Sequence, residues 1–282
     1  MAATTRVGLV QLRSGTDPAA NLAAVSAFAG AAAAAGANYV LTPEMSVAFV
    51  RDREELGRVA PPFAGNRFVA ELAALANQLG IFLHVGSMAF ALEDGRFANR
   101  SLLFSPDGAL LARYDKIHLF DADPPGDRPY RESETYRGGD RAVVARAGAL
   151  RLGLSVCYDL RFPALYAGLA AAGAEVMTVP AAFTVPTGAA HWHVLLRARA
   201  IETGSFVLAA AQGGAHENGR KTYGHSLVVD PWGRIVAEKP DDTDGVLLAE
   251  LDLDLVADAR RRLPALANRR DFSLSVNEDG PE

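Results

Sequence analysis

Residues 152–163, with the sequence LGLSVCYDLRFP, decide the fold of this chain. The first five of these residues are apolar or small and predict a buried strand. The turn after them predicts the start of a helix, which places Cys157 at the carboxyl edge of a sheet, where α/β proteins keep their reactive groups. A helix start offers N–H donors and a positive dipole end, and both favour thiolate over thiol. The alternative interpretation is that a lone cysteine is a small buried hydrophobic residue.

The composition predicts a soluble, intracellular protein. The chain has 282 residues, of which 50% are hydrophobic, and carries a net charge of −5. This weakly acidic balance argues against a nucleic-acid surface, which is normally basic. A single cysteine forms no intrachain disulfide and fits a reducing cytosol, so we expect a cytoplasmic location. The first residues lack a signal-peptide pattern, and the longest apolar stretch, residues 165–183, is interrupted by Glu175, so we expect no membrane contact.

Strand and helix patterns follow one another in mixed order. Strands are predicted at residues 7–12, 39–42, 81–87, 99–105, 109–114, 142–146, 149–156, 176–179, 206–211, 223–229, 234–237 and 245–252. Helices are predicted at residues 21–36, 66–79, 163–172, 189–203 and 253–262. Several hairpin-like joins, such as the Pro-Asp-Gly turn at 106–108, exclude a purely parallel sheet. We therefore expect an α/β protein with two sheets covered by helices.

The chain shows neither a linker nor an internal repeat, so we expect one domain over residues 1–272 and a short polar tail over 273–282. Residues 120–139 are rich in proline, glycine and charge and predict a surface loop of functional length.

Three polar residues are candidate partners for Cys157. Glu44 comes after Pro43, just beyond the predicted strand 39–42; Lys116 lies between Asp115 and Ile117, and Glu132 lies in the long loop. Each of them alone is more typical of a solvated surface residue, with Lys116 paired to its neighbour Asp115.

Histidine is the competing base, since a Cys–His pair is the usual way to activate a thiol. His118 is the best placed, because we predict that it shares a strand and a face with Lys116. His191 and His193 lie on different faces of a predicted helix, which is poor geometry for a metal. With one cysteine, no HExxH motif and no glycine-rich phosphate loop, we expect neither a metal nor another cofactor.

Six segments together resemble, in order and spacing, the nitrilase (carbon–nitrogen hydrolase) superfamily. They are PEM at 43–45, YDKIHLF at 114–120, CYDLRFP at 157–163, TGAAHW at 187–192, RARAIET at 197–203 and YGHSLVVDPWG at 223–233. The resemblance extends from Val7 to about Arg270. It is strongest to the Nit-type amidase branch, whose characterised members act on deaminated glutathione or on ω-amides of 2-oxo acids.

The resemblance implies a four-layer αββα sandwich that pairs across a two-fold axis, so we expect a homodimer or a higher homo-oligomer. It implies a catalytic triad of Glu44, Lys116 and Cys157, with Glu132 assisting. The implied reaction is hydrolysis of a non-peptide C–N bond in a small carboxylate-bearing amide, through a cysteine thioester and with release of ammonia.

The residues around this triad suggest further roles. We expect the backbone N–H of Tyr158 to join Lys116 in stabilising the oxyanion. Phe183, Thr184 and Arg161 are expected substrate contacts. Arg161 would hold a carboxylate through a two-pronged contact, or would instead form a structural ion pair with Asp159 or another nearby acidic residue.

Burial is expected to raise the pKa of Glu44 towards the value that a general base needs near neutral pH.

The sequence leaves other functions open. The same scaffold carries N-carbamoyl amino acid hydrolases and nitrilases. A Cys–His peptidase would use His118 as its base, and a non-catalytic binding protein would keep only the fold. Two departures from the branch pattern, His193 after the His-Trp pair and the TPEMS sequence at 42–46, leave the identity of the substrate open.

Overall fold

The computed structural model describes residues 4–276 of the chain. Within this range the strands are β1 (Thr4–Gln11), β2 (Tyr39–Leu41), β3 (Phe82–Ala91), β4 (Phe97–Phe104), β5 (Leu110–Asp115), β6 (Asp121–Ala122), β7 (Tyr130–Arg131), β8 (Val144–Ala147), β9 (Leu150–Leu154), β10 (Val176–Thr178), β11 (Phe206–Ala209), β12 (Gly213–Ala215), β13 (Lys221–Tyr223), β14 (Leu227–Val229), β15 (Ile235–Glu238) and β16 (Gly245–Asp252). The α-helices are α1 (Pro18–Ala34), α2 (Arg53–Val59), α3 (Arg67–Leu79), α4 (Pro163–Ala171), α5 (Val185–Thr203) and α6 (Asp254–Arg262). Of the predicted polar tail, residues 277–282 lie outside the described residues.

Twelve of the strands form two six-stranded sheets. The order is β16-β1-β2-β3-β4-β5 in the first sheet and β15-β14-β11-β10-β9-β8 in the second. In each sheet three central strands run parallel, and antiparallel strands are added on both sides. The predicted hairpin of β4 and β5 is present. The expectation of two mixed sheets is therefore confirmed.

Alternating side chains place the two sheets face to face. In β1, Val7 and Leu9 belong to the same buried cluster as the second sheet, whereas Val10 packs in the cluster beneath α1 and α3. Successive side chains of a strand point to opposite faces, so one strand serves both layers. Helices α4 and α5 cover the outer face of the second sheet, where Trp192 is buried. The four-layer αββα sandwich is thus confirmed.

The alanine-rich segment forms α1, which lies very close to β1. A Cβ atom on Gly8 would lie only 2.8 Å from the Cβ of Ala32, so a larger side chain at either position would force the layers apart. Asp17 is the N-cap of α1, and its side chain accepts a hydrogen bond from the N–H of Ala19. Low complexity here reflects close packing of a helix on a sheet.

The structure differs from the sequence predictions in a few elements. Helix α2 was not predicted, because its seven residues are too few to show a helical period. The strand predicted at 223–229 is two strands, since Gly224 and His225 adopt positive φ angles of 68° and 55° between β13 and β14. The predicted loop at 120–139 contains the short pair β6 and β7 and one 3₁₀ turn.

Candidate active site

Segments that follow β2, β5, β7 and β9 bring four predicted site residues together. The Nζ atom of Lys116 lies 3.0 Å from Oε1 of Glu44 and 2.7 Å from Oε2 of Glu132. Cys157 lines the same cavity as these three residues, and its thiol is close enough to the Glu44 carboxylate for each to shift the pKa of the other. Residues that are far apart in the sequence therefore share one recess.

Glu44 is buried, and fixed donors direct both oxygens of its carboxylate. Its Oε1 accepts from Asn99 Nδ2 at 2.9 Å as well as from Lys116. Its Oε2 accepts from the backbone N–H of Ala182 at 3.0 Å, a donor that follows β10. These contacts hold the carboxylate in one orientation beside the thiol of Cys157.

The pKa of Glu44 is lower than that of an ordinary glutamate, so the predicted upward shift is wrong. Burial alone would raise this pKa, but the charge of Lys116 and the hydrogen bonds from Cys157, Lys116 and Asn99 outweigh burial. The sequence prediction considered an apolar wall and missed how many donors converge on this carboxylate. Glu44 is consequently ionised at neutral pH.

Lys116 is a buried ammonium held between two carboxylates. The residue is only 2% exposed, which rules out the surface lysine paired with Asp115; that aspartate pairs instead with Arg100. Burial by itself would lower the pKa of Lys116, but the charges of Glu132 and Glu44 raise it well above its usual value. Lys116 therefore keeps its proton at any pH at which the protein is expected to work.

Glu132 begins the 3₁₀ turn in the long loop and is the second support of Lys116. Its Oε1 and Oε2 atoms lie 2.9 and 2.7 Å from the ammonium, and Oε2 also accepts from the N–H of Phe120 at 2.6 Å. Asn99 links the two carboxylates, since its Nδ2 lies 3.3 Å from Oε1 of Glu132 and also donates to Glu44. Two glutamate side chains thus hold one ammonium group between them.

Cys157 occupies a strained turn just beyond β9. Its φ angle is +51°, a region that non-glycine residues seldom adopt, and its N–H donates to the carbonyl oxygen of Pro180 at 2.9 Å. Such strain at a single residue is typical of functional turns. The residue opens a five-residue 3₁₀ helix, and α4 begins only at Pro163.

The thiol of Cys157 is protonated at neutral pH. Burial raises its pKa well above the ordinary value, and the nearby charge of Glu44 raises it further, while Lys116 opposes this only in part. The expectation that a helix start would favour the thiolate is wrong here, because the short 3₁₀ turn is outweighed by burial beside a carboxylate. A base must therefore take the thiol proton during the reaction.

Asp159 holds the turn that carries Cys157. Its carboxylate accepts from the N–H of Val156 at 2.9 Å and from the hydroxyl of Tyr114 at 2.7 Å. His118 contacts the same carboxylate through Nδ1 at 2.7 Å, and its ring stacks on Phe162 with centroids 3.5 Å apart. The prediction that His118 and Lys116 share a strand is wrong, because β5 ends at Asp115. His118 braces the nucleophile turn through Asp159.

A cavity of about 290 Å³ opens beside these residues, near the lower end of the range for small-molecule sites. Its wall includes Tyr158, the expected oxyanion donor, and the expected substrate contacts Arg161, Phe183 and Thr184. Within residues 4–276, Arg161 forms no ion pair with Asp159 or with any other acidic side chain, so that alternative for Arg161 is wrong. Instead, the Arg161 guanidinium lies over the rings of Tyr158 and Phe183, at 5.8 and 5.6 Å from their centroids. Its two Nη atoms lie 3.3 Å from Nδ1 of His191, a neighbour on α5.

Three contributors to the site were not predicted from the sequence. They are the side chain of Asn99, the backbone N–H of Ala182 and the carboxylate of Asp159. Asn99 lies within a strand that gives no catalytic signal, and a backbone N–H has no signature in a sequence at all. Asp159 is part of the quoted stretch, but its partners come from distant segments.

Two expected absences can be compared with the part of the chain that the structure describes. Residues 4–276 contain no cluster of three or more His, Cys, Asp or Glu side chains arranged to hold a metal. Among the helices in that range, none has the length and apolar character needed to cross a bilayer.

Comparisons with known proteins agree with this geometry. The sequence profile of a family described as carbon-nitrogen hydrolase matches residues 6–261. A deaminated glutathione amidase from Yersinia enterocolitica is 40% identical over 273 residues, which cover 96% of this chain and 94% of that protein.

Two solved structures share the fold over most of their length. Nit3 of Saccharomyces cerevisiae, described as a member of branch 10 of the nitrilase superfamily, superposes with a TM-score of 0.85 at 30% identity, covering 95% of this chain and 97% of Nit3. An amidase mutant from Nesterenkonia sp. AN1, solved after Michael addition of acrylamide at its active-site cysteine, gives a TM-score of 0.78 at 27% identity, covering 92% and 98% of the two chains.

Proposed function

The chain belongs to the carbon–nitrogen hydrolase (nitrilase) superfamily, in its Nit-type amidase branch, and on that premise we propose that it works through a thioester on Cys157. It is an enzyme that hydrolyses amide C–N bonds. The observation that carries the proposed mechanism is the buried Lys116 ammonium, held between Glu44 and Glu132 at the wall of a cavity that also holds the thiol.

In the acylation step, Glu44 removes the thiol proton as the sulfur of Cys157 attacks the carbonyl carbon of the amide. The carbonyl oxygen becomes an oxyanion, which Lys116 and the N–H of Tyr158 stabilise. The C–N bond then breaks, and Glu44 returns the proton to the departing nitrogen. This leaves a thioester on Cys157 and an ionised Glu44 carboxylate ready to act as base again.

The two pKa shifts explain why proton transfer and attack occur together. In the resting site Glu44 is too weak a base, and Cys157 too weak an acid, for the thiolate to form in advance. As the oxyanion develops, the Lys116 ammonium redirects one of its N–H groups from the Glu44 carboxylate to the oxyanion. The contact that lowers the pKa of Glu44 is thereby weakened at the moment when the carboxylate must hold a proton.

In the deacylation step, a water molecule attacks the thioester and Glu44 takes its proton. Glu132 keeps Lys116 in place and helps to position this water. The carboxylic acid leaves, and the sulfur recovers the proton from Glu44, so the enzyme returns to its starting state. Dividing amide cleavage into two steps is what the covalent nucleophile contributes.

For the substrate, we propose an amide of the deaminated glutathione type, with an ω-amide of a 2-oxo acid as the second candidate. Support comes from the 40%-identical relative that is named for deaminated glutathione and from Arg161, which has no carboxylate partner within residues 4–276. The two candidates differ in leaving group. The amide bonds of deaminated glutathione are secondary and release an amine, whereas a primary ω-amide releases ammonia.

A substrate panel tests this proposal. Deaminated glutathione, a 2-oxo acid ω-amide, an N-carbamoyl amino acid and an aliphatic nitrile would be compared by kcat/KM, with released amine and ammonia measured separately. We expect deaminated glutathione to be preferred by about tenfold or more over the ω-amide. Turnover of the carbamoyl compound or the nitrile without turnover of either amide would contradict the proposal.

The pKa shifts of Glu44 and Lys116 predict how the stability of the folded protein depends on pH. Because the folded pKa of Glu44 lies below the ordinary 4.5, its ionisation stabilises the folded protein above that pH, and this contribution is lost as the pH falls through the folded value. For Lys116, whose pKa is raised above 10.5, the contribution is present below that pH and is lost as the pH rises through the folded value.

The pH dependence of the rate distinguishes a glutamate base from a histidine base. Because the pKa of Glu44 lies below its ordinary value, Glu44 is ionised across the neutral range, and we expect kcat/KM to be nearly constant from about pH 5 to 7.5. The measurement is a pH–rate profile with a substrate that does not ionise in this range. An acidic limb centred near the ordinary histidine value of about 6.5 would favour His118 as the base and count against Glu44.

We also propose that the protein is a homodimer or a higher homo-oligomer. On α5 and just after β14, the apolar side chains of Val194, Ile201 and Trp232 are 67, 52 and 48% exposed in one protomer. Exposed apolar groups of this size favour a partner surface. Sedimentation equilibrium tests this, and a monomer at micromolar concentration would contradict it.

A cytoplasmic location and a single catalytic domain complete the proposal. The reaction needs Cys157 reduced, which the cytosol provides. The domain covers residues 1–272, within which the family match at 6–261 falls, and 273–282 are a polar tail. Cell fractionation tests the location, and an active protein truncated after residue 272 would support the domain boundary.

A further inference from the structure

Six arginines line the cavity, and they fall into two groups by what their guanidinium groups contact. In the first group, the contacts are Arg51 with Glu55, Arg131 with Asp123, and Arg53 with the carbonyl oxygen of Gly95. The second group, Arg128, Arg161 and Arg220, pairs with no carboxylate in the range 4–276. Since Arg128 is exposed, the two half-buried arginines left without a counter-charge are Arg161 and Arg220.

Arg220 is held against two aromatic rings. Its guanidinium carbon lies 4.6 Å from the ring centroid of Phe49 and 4.9 Å from that of Tyr130. Its Nε is buried without a hydrogen-bond partner among the described residues, whereas its two Nη groups, equally without a partner there, are not buried. Contact with both rings restrains the guanidinium of this cavity-lining residue, and its accessible, unpaired Nη groups can offer a carboxylate two hydrogen bonds.

A row of rings connects Arg220 to Arg161 along the cavity wall. From Arg220 the row passes through Tyr130 to Phe120, whose centroids are 5.2 Å apart, and on to Tyr158 at a further 5.0 Å. Arg161 lies over the ring of Tyr158 at the other end. Two cationic groups therefore mark the two ends of an apolar wall.

We infer that Arg220 is a second carboxylate-binding site, and that the enzyme selects amides with a carboxylate on each side of the scissile bond. This inference rests on the proposed function. Arg161, four residues beyond Cys157 and stacked on Tyr158, binds the carboxylate of the acyl part. Arg220, at the far end of the row, binds the carboxylate of the departing amine.

Deaminated glutathione has this charge distribution. One of its carboxylates belongs to the 2-oxo acid part that forms the thioester, and the other belongs to the terminal glycine of the leaving amine. An ω-amide of a 2-oxo acid has only the first. Its binding leaves the Arg220 guanidinium without an acceptor, so the unmatched cation becomes a source of selectivity against the shorter substrate.

The experiment compares deaminated glutathione with an analogue in which an ethylamide replaces the terminal glycine, so that only the distal carboxylate is lost. For the wild-type enzyme we expect kcat/KM to be roughly 10- to 100-fold lower with the analogue. Arg220→Met should lower kcat/KM for deaminated glutathione by a similar factor and change it less than about threefold for the analogue. Arg220→Lys should restore part of the loss, since it keeps the charge but not the planar pair of donors.

Arg128→Met is the matched control, because Arg128 also lies over the ring of Tyr130, at 5.4 Å, but is exposed. It removes one positive charge from the cavity rim, and we expect less than about a threefold change with either substrate.

Equal kcat/KM of the wild-type enzyme for both substrates would overturn the inference without any variant and would leave the amidase proposal intact. An equal loss on both substrates in Arg220→Met would assign Arg220 a structural role beside Phe49 and Tyr130. Turnover of neither substrate by the wild-type enzyme would instead count against the proposed function itself.

Discussion

Cys157→Ala is expected to abolish amide hydrolysis while the folded structure is retained. Without the sulfur there is no atom to form the thioester, and Glu44 has no acidic proton to take from residue 157. Removing a covalent nucleophile commonly lowers kcat by a factor on the order of 10⁵ or more. The measurement is amine release from deaminated glutathione, followed over hours at high enzyme concentration.

The stability of the Cys157→Ala protein is the accompanying control. Alanine occupies less space than cysteine and meets the same backbone strain at a φ of +51°, so we expect a Tm within a few degrees of the wild-type value. Cys157→Ser should also be inactive, because a hydroxyl is a far weaker nucleophile in this site. Hydrolysis by the alanine variant at the wild-type rate would remove Cys157 from the mechanism.

Glu44→Gln is expected to lower kcat/KM by roughly 10³- to 10⁴-fold, the upper range for loss of a general base. The substitution keeps the shape of the side chain and leaves Lys116 paired with Glu132. It also places an NH₂ group where the carboxylate accepted hydrogen bonds. In one orientation this NH₂ group faces the N–H of Ala182, and in the other it faces the donors of Lys116 and Asn99. We therefore expect a moderate loss of stability, about 1–3 kcal/mol.

Alkylation of Cys157 by iodoacetamide isolates the proton-transfer role of Glu44 from substrate binding. We expect the wild-type thiol to be labelled stoichiometrically near neutral pH and the Glu44→Gln thiol to react much more slowly, because burial still raises the pKa of this thiol and no carboxylate remains beside it to take the proton as the sulfur attacks. Glu134→Gln, an exposed carboxylate in the same 3₁₀ turn as Glu132, is the control and should react like the wild-type protein. Equal labelling rates in Glu44→Gln and wild type would contradict the assignment of Glu44 as base.

Much of the fold could be predicted because its signals are local. Apolar runs bounded by glycine and proline predict the strands of both sheets, and a Pro-Asp-Gly turn predicts the hairpin of β4 and β5. Helix α2 is not predicted because its seven residues are too few to show a helical period. The sequence predicts one strand at 223–229 because the turn at Gly224 depends on a distant contact. A Cβ atom on Gly224 would lie only 2.7 Å from the Cα of Asp242.

The residues of the candidate site were identified through resemblance, whereas their electrostatics required coordinates. The sequence places Glu44 and Cys157 at the ends of strands, but the direction of the Glu44 pKa shift depends on three donors that reach it from other segments. Arg220 gave no signal in the sequence, since its importance comes from the two rings that it contacts. Contacts between distant segments are what a single sequence leaves undetermined.

The central claim, a thioester formed on Cys157, is tested most directly by mass spectrometry of the enzyme quenched in acid during the first turnover. Deaminated glutathione and the ω-amide of the corresponding 2-oxo acid deliver the same acyl group, so both should add the same mass to the peptide that contains Cys157. This mass should disappear once the substrate is exhausted. An unmodified Cys157 peptide during turnover, or the acyl group on any other residue, would contradict the account.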